Sequence, residues 1–395
     1  MLKNILIVGN YPPPFGGVPR HLEYLVPALS KRGWNVHVLS SGRTGRQTIG
    51  NINIYKLPIL SKLFIFVKFL LFEDTIKRPK AKSFKKNFGD SIFLAIGSKI
   101  VKENNIQLIS SYNFSSNGPV GASLANHFGI KHVLTNFGEF YSNSLFFNHN
   151  KSLVNHILEN TDKFLAMSNH CASGYKKIGL TPKVEVIRYG VMPNEFNPTS
   201  DRLDIRKNNQ ISSSDIVVMF CGRITKDMGI YLFLNAITKI LLINKNLKFI
   251  IVGAKGPAHN NVLDFCKEYS DNVFYFNDVP FKNLQDYYFA SDILVVPTLG
   301  ERACGSLAAI EAMSCKRAVI GSNIGGIPEI ISDNRSGLLF DIDDDKDLMS
   351  KILLLSKNKG LIKKFGHYGR EIVEQNFDEQ AADSKIIDIF EKLIG

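Results

Sequence analysis

The stretch Pro297-Thr298-Leu299-Gly300-Glu301-Arg302-Ala303-Cys304-Gly305-Ser306-Leu307-Ala308-Ala309-Ile310-Glu311-Ala312-Met313 decides how this chain is read. Before it stands Ile293-Leu294-Val295-Val296, an apolar, β-branched run short enough for a buried strand. After the strand comes a Gly-containing loop with a carboxylate and a guanidinium, and the Ala- and Leu-rich run beyond predicts a helix starting near Gly305–Ser306. Strand, loop and helix in that order are the unit of a doubly wound α/β sheet, whose ligands bind beyond the carboxyl ends of the strands.

The same unit recurs along most of the chain. Apolar runs predict strands at 4–8, 35–39, 108–110, 132–135, 163–166 and 184–187, then at 216–221, 248–252, 273–276, 293–297 and 318–321. Fully apolar strands separated by helices imply parallel sheets covered on both faces. The fold class expected is therefore α/β, with two Rossmann-like doubly wound domains facing across a cleft. The join falls at the polar stretch 194–214. The domains expected are 1–200, 201–375 and a final segment 376–395 whose helix, 379–393, packs back on the first domain.

Composition bounds the rest. The 395 residues have a mean hydropathy of −0.01 and are 45% hydrophobic, which excludes a disordered or collagen-like chain. Five cysteines without a Cys-x-x-Cys pair speak against a disulfide framework or a zinc site and for a reducing, cytoplasmic setting. The first residues contain only a short apolar run, unlike a secretory signal.

Charge is unevenly placed. Residues 1–200 carry 24 Lys and Arg against 10 Asp and Glu, or +14, and residues 201–395 carry 24 against 26, or −2, which gives the net +12. Nine of the cations lie in 56–86, around an apolar stretch from Leu57 to Phe72 that is too broken to span a bilayer. That segment reads either as a core helix with a solvated basic loop or as a face that lies on an anionic membrane surface. Nucleic acid is not expected, because no finger spacing, RNP-type strand or recognition helix accompanies the charge.

Four further loops at strand ends carry groups suited to an anionic ligand. Gly16 and Gly17 precede a helix expected over 21–31, which fits close main-chain approach of a ligand and equally an ordinary turn. Gly222-Arg223-Ile224-Thr225-Lys226-Asp227-Met228-Gly229 places two cations where guanidinium can take a phosphate bidentately. Gly253-Ala254-Lys255-Gly256 and Gly325-Gly326-Ile327-Pro328-Glu329 follow on the same pattern. In the opening stretch itself, the amides of Gly305, Ser306 and Leu307 suit a phosphate. Glu311 sits amid Ala, Ile and Met, where a carboxylate needs a partner. The acidic run 341–345 reads as a helix cap rather than a metal site.

Together these loops resemble the retaining glycosyltransferases of family 4, which have the two-domain GT-B architecture. The resemblance runs over nearly the whole chain. It is strongest in 216–340, in Glu311-Ala312-Met313, Ala318-Val319-Ile320-Gly321 and Gly325-Gly326-Ile327-Pro328-Glu329, with Val186-Ile187-Arg188-Tyr189-Gly190-Val191 at the junction. It implies transfer of a hexosyl or N-acetylhexosaminyl unit from a UDP- or GDP-linked donor to a glycan or lipid-linked acceptor, as in bacterial polysaccharide or lipopolysaccharide synthesis, without a metal. By resemblance Glu311 binds ribose hydroxyls, Arg223 the diphosphate, Gly17 the donor phosphate or sugar, and Glu301 the sugar ring.

Three departures stand out. Glu301 and Glu311 have nine residues between them where the family has seven. Met228 stands where a Lys usually precedes the Gly, which leaves Lys226 as its substitute. Phe137 occupies a position that is His in many relatives, which leaves Glu139 for a polar role toward the acceptor. A non-catalytic scaffold subunit and a sugar-nucleotide epimerase are the alternative readings.

Overall fold

A computed structural model of the chain describes residues 3–13, 16–42, 45–57, 76, 78–141, 144–177, 179, 181, 184–197 and 204–395. Most of the basic segment 56–86, including Phe64, Phe66, Phe69 and Phe72, lies outside the described residues, as does part of the expected join. The chain forms two compact units, one of 1–189 with 379–395 and one of 190–378.

Among its described residues the first unit holds eight strands: β1 (Lys3–Val8), β2 (Trp34–Ser41), β3 (Arg46–Ile49), β4 (Ile52–Leu57), β5 (Leu108–Tyr112), β6 (Lys131–Asn136), β7 (Lys163–Ala166) and β8 (Val184–Val186). They lie in the order β3-β4-β2-β1-β5-β6-β7-β8, all parallel except β3 against β4. The sequence pattern missed β3 and β4. All four residues of β3 are exposed, so no apolar run announces it.

The core of this unit includes Ile5, Ile7, Leu22, Leu25 and Val36, and the C-terminal helix Glu379–Ile394 joins it through Ile386, Ile387 and Phe390. The ring of Phe390 meets the edge of the single tryptophan, Trp34, at 6.4 Å. That helix is fastened to the first unit by charge as well as by its apolar face. Lys3 Nζ donates to Glu391 at 2.7 Å, and buried His21 pairs with buried Glu379 at 2.8 Å.

The second unit holds β9 (Ile216–Cys221), β10 (Leu247–Gly253), β11 (Val273–Asn277), β12 (Ile293–Val296), β13 (Ala318–Ser322) and β14 (Gly337–Phe340). Every pairing is parallel, in the order β11-β10-β9-β12-β13-β14. Numbered within the unit this is 3-2-1-4-5-6, the order of a dinucleotide-type sheet. The direction of winding reverses between β9 and β12, and such a sheet presents its ligand crevice at that point. The helix Ile230–Ile243 and the helix Asp345–Ser356 share one apolar cluster with the sheet. Asp344 caps the latter, accepting from the amides of Lys346 and Asp347, so the acidic run is a cap as the sequence reading expects.

Candidate active site

In the second unit the loops after β9 and β12 flank the reversal, and close main-chain packing shapes them. Gly229 has φ 78°, and a Cβ there would overlap the carbonyl oxygen of Pro297. A Cβ on Gly326 would overlap the carbonyl of Cys304, and the Gly326 amide donates to Ala303 O at 2.7 Å. Ser322 Oγ donates to Thr298 O at 2.7 Å. The loops after β9, β12 and β13 are thus packed against one another, which fixes the backbone positions from which their polar side chains project.

At the tips stand the cations. Arg223 and Lys226 are exposed; Arg223 Nη2 lies 3.4 Å from Asp227 Oδ2, a solvated pair that a phosphate can outcompete. Met228 packs against the apolar cluster beneath, so it does not present a polar group where the family's Lys stands. Glu301 and Arg302 are both exposed on the loop after β12.

The helix after this loop runs Leu307–Ser314, just beyond the expected start, with Ser306 as its N-cap accepting from the Ala309 amide at 3.2 Å. Ser306 is extended (φ −134°), and the amides of the first turn, which have no intrahelical acceptor, carry the positive end of the helix dipole. Glu311 is 5% exposed, and Tyr288, itself fully buried on the helix Phe281–Ala290, donates its hydroxyl to Glu311 Oε2 at 2.7 Å. The sequence reading did not supply this partner; a tyrosine in an amphipathic helix gives no sign of where its hydroxyl points. Burial, reinforced by the Glu311 charge, pushes the Cys221 thiol up to about 12. Cys221 is therefore a neutral thiol beside Glu311 and Tyr288, not a nucleophile.

In the first unit, β1 is followed by the Gly loop, and the helix begins at Gly17 rather than His21, because the Arg20 amide already bonds to Gly16 O at 2.9 Å. Gly17 is therefore the first helical residue, with Phe137 beside it. Phe137 belongs to an aromatic cluster with Tyr189, whose ring stacks on it at 5.5 Å and on His21 at 4.1 Å. Lys56 is buried and donates to the carbonyls of Pro12 and Pro13, which ties the Gly loop to the end of β4. Burial lowers its pKa.

Glu139 lies after β6 with both oxygens engaged. Ser115 N donates to one at 2.7 Å and Ser116 Oγ to the other at 3.2 Å. Burial raises its pKa against those hydrogen bonds and the Lys86 charge. His170 is half-buried and stacked on Tyr141.

The structure brings together Arg223, Lys226, Glu301, Gly305, Ser306, Leu307 and Glu311 on the carboxyl edge of one sheet. Gly16, Gly17 and Glu139 lie on the carboxyl edge of the other.

The family model described as Glycosyltransferase Family 4 matches residues 15–195, and that described as Glycosyl transferases group 1 matches 215–358. An uncharacterized glycosyltransferase of Methanocaldococcus jannaschii is 25% identical over 94% of this chain and 93% of its own. The lipopolysaccharide 1,2-N-acetylglucosaminetransferase of Salmonella typhimurium is 26% identical over 56% of this chain and 62% of its own. Among solved structures, sucrose-phosphate synthase from Thermosynechococcus elongatus superposes with a TM-score of 0.79 at 19% identity, covering 99% of each chain. Anabaena HepE, solved with UDP-glucose, gives 0.75 at 15% identity, covering 98% of this chain and 99% of its own. Both have the fold of this chain.

Proposed function

From the premise that this chain belongs to the glycosyltransferases, with a family 4 first domain and a group 1 second domain on the GT-B fold, we propose that it moves a sugar from a nucleoside diphosphate sugar to a glycan or lipid-linked acceptor with retention of configuration. The observation that carries this reading is the loop cluster at the winding reversal of the second sheet. There two exposed cations and the first turn of a capped helix share an edge with a buried carboxylate held by Tyr288.

In this reading Glu311 accepts hydrogen bonds from the ribose hydroxyls, charge-assisted and in partly dry surroundings. Arg223, Lys226 and the amides from Gly305 to Leu307 hold the diphosphate, which gains charge as the glycosidic bond breaks. Fixed cations and amides then suffice without a metal. The leaving phosphate accepts the proton of the acceptor hydroxyl, so the new bond forms on the face the old one leaves. Glu301 contacts the sugar ring, Gly16 and Gly17 offer main chain to the donor, and Glu139 serves the acceptor.

The HepE structure, titled as a complex with UDP-glucose, supports a nucleotide-sugar donor of the UDP type. The lipopolysaccharide relative and the yeast GPI3 subunit of a phosphatidylinositol N-acetylglucosaminyltransferase support a membrane-held acceptor and transfer of an N-acetylhexosamine. No helix among the described residues is long and apolar enough to cross a membrane, and the cation-rich composition of 56–86 suits an anionic lipid surface.

Incubating a panel of nucleotide sugars with and without cell-envelope lipid tests the reading. Lipid-dependent transfer with a retained linkage by NMR supports it. Lipid-independent isomerisation of the donor, or binding without turnover, replaces it with the epimerase or the scaffold.

A further inference from the structure

In the first unit one face of the sheet changes character along its length. Successive side chains of a strand alternate faces, and register partners on adjacent parallel strands share one. Asn35 and His37 of β2 therefore share a face with Asn4 of β1, the partner of Asn35, and with Asn53 of β4, the partner of His37. Toward the carboxyl ends the same face carries Leu6, Val8 and Leu39, packed with Ile100 and Val101 of the helix Phe84–Asn104. The covered face of a parallel sheet is normally apolar throughout. Here it turns to amides at the amino edge, where the covering helix ends, and a cavity of about 540 Å³ opens between them.

Asn104 and Asn105, at the end of the helix, complete the lining. The amides hold one another in place and keep capacity in reserve. Asn35 Nδ2 donates to Asn4 Oδ1 at 2.8 Å and Asn4 Nδ2 to Asn105 O at 3.3 Å, while Asn53 Oδ1 accepts from Thr48 Oγ1 at 3.0 Å and from Arg46 Nη2 at 3.3 Å. That leaves Asn35 Oδ1, Asn53 Nδ2 and Asn104 Oδ1 without a protein partner among the described residues, and none of the three is sealed from solvent. Burial, with the Arg46 charge, lowers His37 to about 4, so its ring is neutral at physiological pH. Lys102 and Glu103 at the rim offset each other in charge.

We infer that this pocket is a second ligand site, for a neutral saccharide unit, at the end of β1 opposite the Gly16-Gly17 loop. Fixed amides that offer donors and acceptors side by side match vicinal hydroxyls, each of which donates and accepts at once. Lys102 is the one cation among the lining residues and has Glu103 beside it, Arg46 is already bonded to Asn53, and no helix N-terminus is in the lining, so the site does not suit a phosphate. Val101 is the one aliphatic residue in it, too little for a hydrophobic-ligand site. Its volume falls within the range of small-molecule sites, about 300–1,000 Å³. The inference does not depend on the transferase reaction proposed above, because no residue is shared with it.

The test is NMR of the full chain, following the side-chain amides and the His37 ring during titration with methyl glycosides of glucose, galactose, mannose and N-acetylglucosamine, with and without saturating UDP. Saturable shifts at those groups with at least one glycoside, unchanged by UDP, are expected. Asn35→Leu and Asn53→Ala should each weaken that binding about two- to tenfold, the worth of one neutral hydrogen bond. No saturable shift with any of the four, binding that UDP displaces, or binding that survives both substitutions would overturn the inference. The wild-type titration decides by itself if either variant fails to fold.

Discussion

Replacing Tyr288 by Phe removes one hydroxyl and little else. The ring stays, so no cavity opens. What is lost is a 2.7 Å hydrogen bond to a carboxylate, between a side chain that is fully buried and one that is 5% exposed. Hydrogen bonds to charged groups contribute about 1.5–3 kcal/mol, and water cannot readily replace this donor. The second unit, which holds both residues, should lose about that much stability. For a unit of this size the melting transition should fall by about 2–4 °C per kcal/mol.

The assay can separate the units, because the only tryptophan, Trp34, is buried in the first. Its fluorescence should report an unchanged transition in urea, while far-UV circular dichroism shows an earlier one. In kinetics, a Glu311 that is no longer held should raise the donor KM and leave kcat nearly alone, since ribose is bound alike in ground and transition states. A second-unit stability within about 0.5 kcal/mol of wild type, the range of an ordinary surface substitution, together with an unchanged donor KM, would refute the reasoning.

Three other outcomes follow from the same kind of argument. His132 is fully buried, and burial lowers its pKa to about 4, so the unfolded chain binds a proton below about pH 6.5 that the folded chain refuses. Stability of the first unit should therefore fall as pH drops from about 6.5 to 4, by roughly 3 kcal/mol from this group, and urea titrations followed by Trp34 fluorescence should show it. His21→Ala takes from buried Glu379 its 2.8 Å contact with the imidazole, and the first unit should lose about 1–3 kcal/mol by the same fluorescence assay. Lys226→Ala should lower kcat/KM at least tenfold, about 1.4 kcal/mol, if this exposed cation stands in for the packed Met228; steady-state kinetics over donor concentration reads it.

Much of the fold is legible in the sequence because parallel strands buried on both faces must be apolar. Such runs are short and stand out from the polar segments around them: Lys163–Ala166 and Ile216–Cys221 have the expected bounds in the structure. What stays hidden has physical causes. The strand β3 is exposed along its length, and Asn53 and Lys56 interrupt the apolar residues of β4, so neither shows the continuous run that marks its neighbours. The helix after the Gly loop starts four residues early because Pro19 is accepted in a first turn whose amides need no intrahelical partner.

In the site, Arg223, Lys226 and Glu311 are legible as residue types at strand ends. The support of Glu311 is not, since Tyr288 is 23 positions away, and neither is the His21–Glu379 pair that holds the last helix, 358 positions apart. Only the folded chain brings such pairs together.

Calorimetry of the full chain with UDP, GDP, ADP and TDP tests the central claim, that the edge bearing Arg223, Lys226 and the Ser306-capped helix takes a nucleoside diphosphate. At least one should give a saturable heat in the micromolar to millimolar range, diminished by Arg223→Ala. No heat from any of the four at millimolar concentration, or an identical heat from Arg223→Ala, would contradict it.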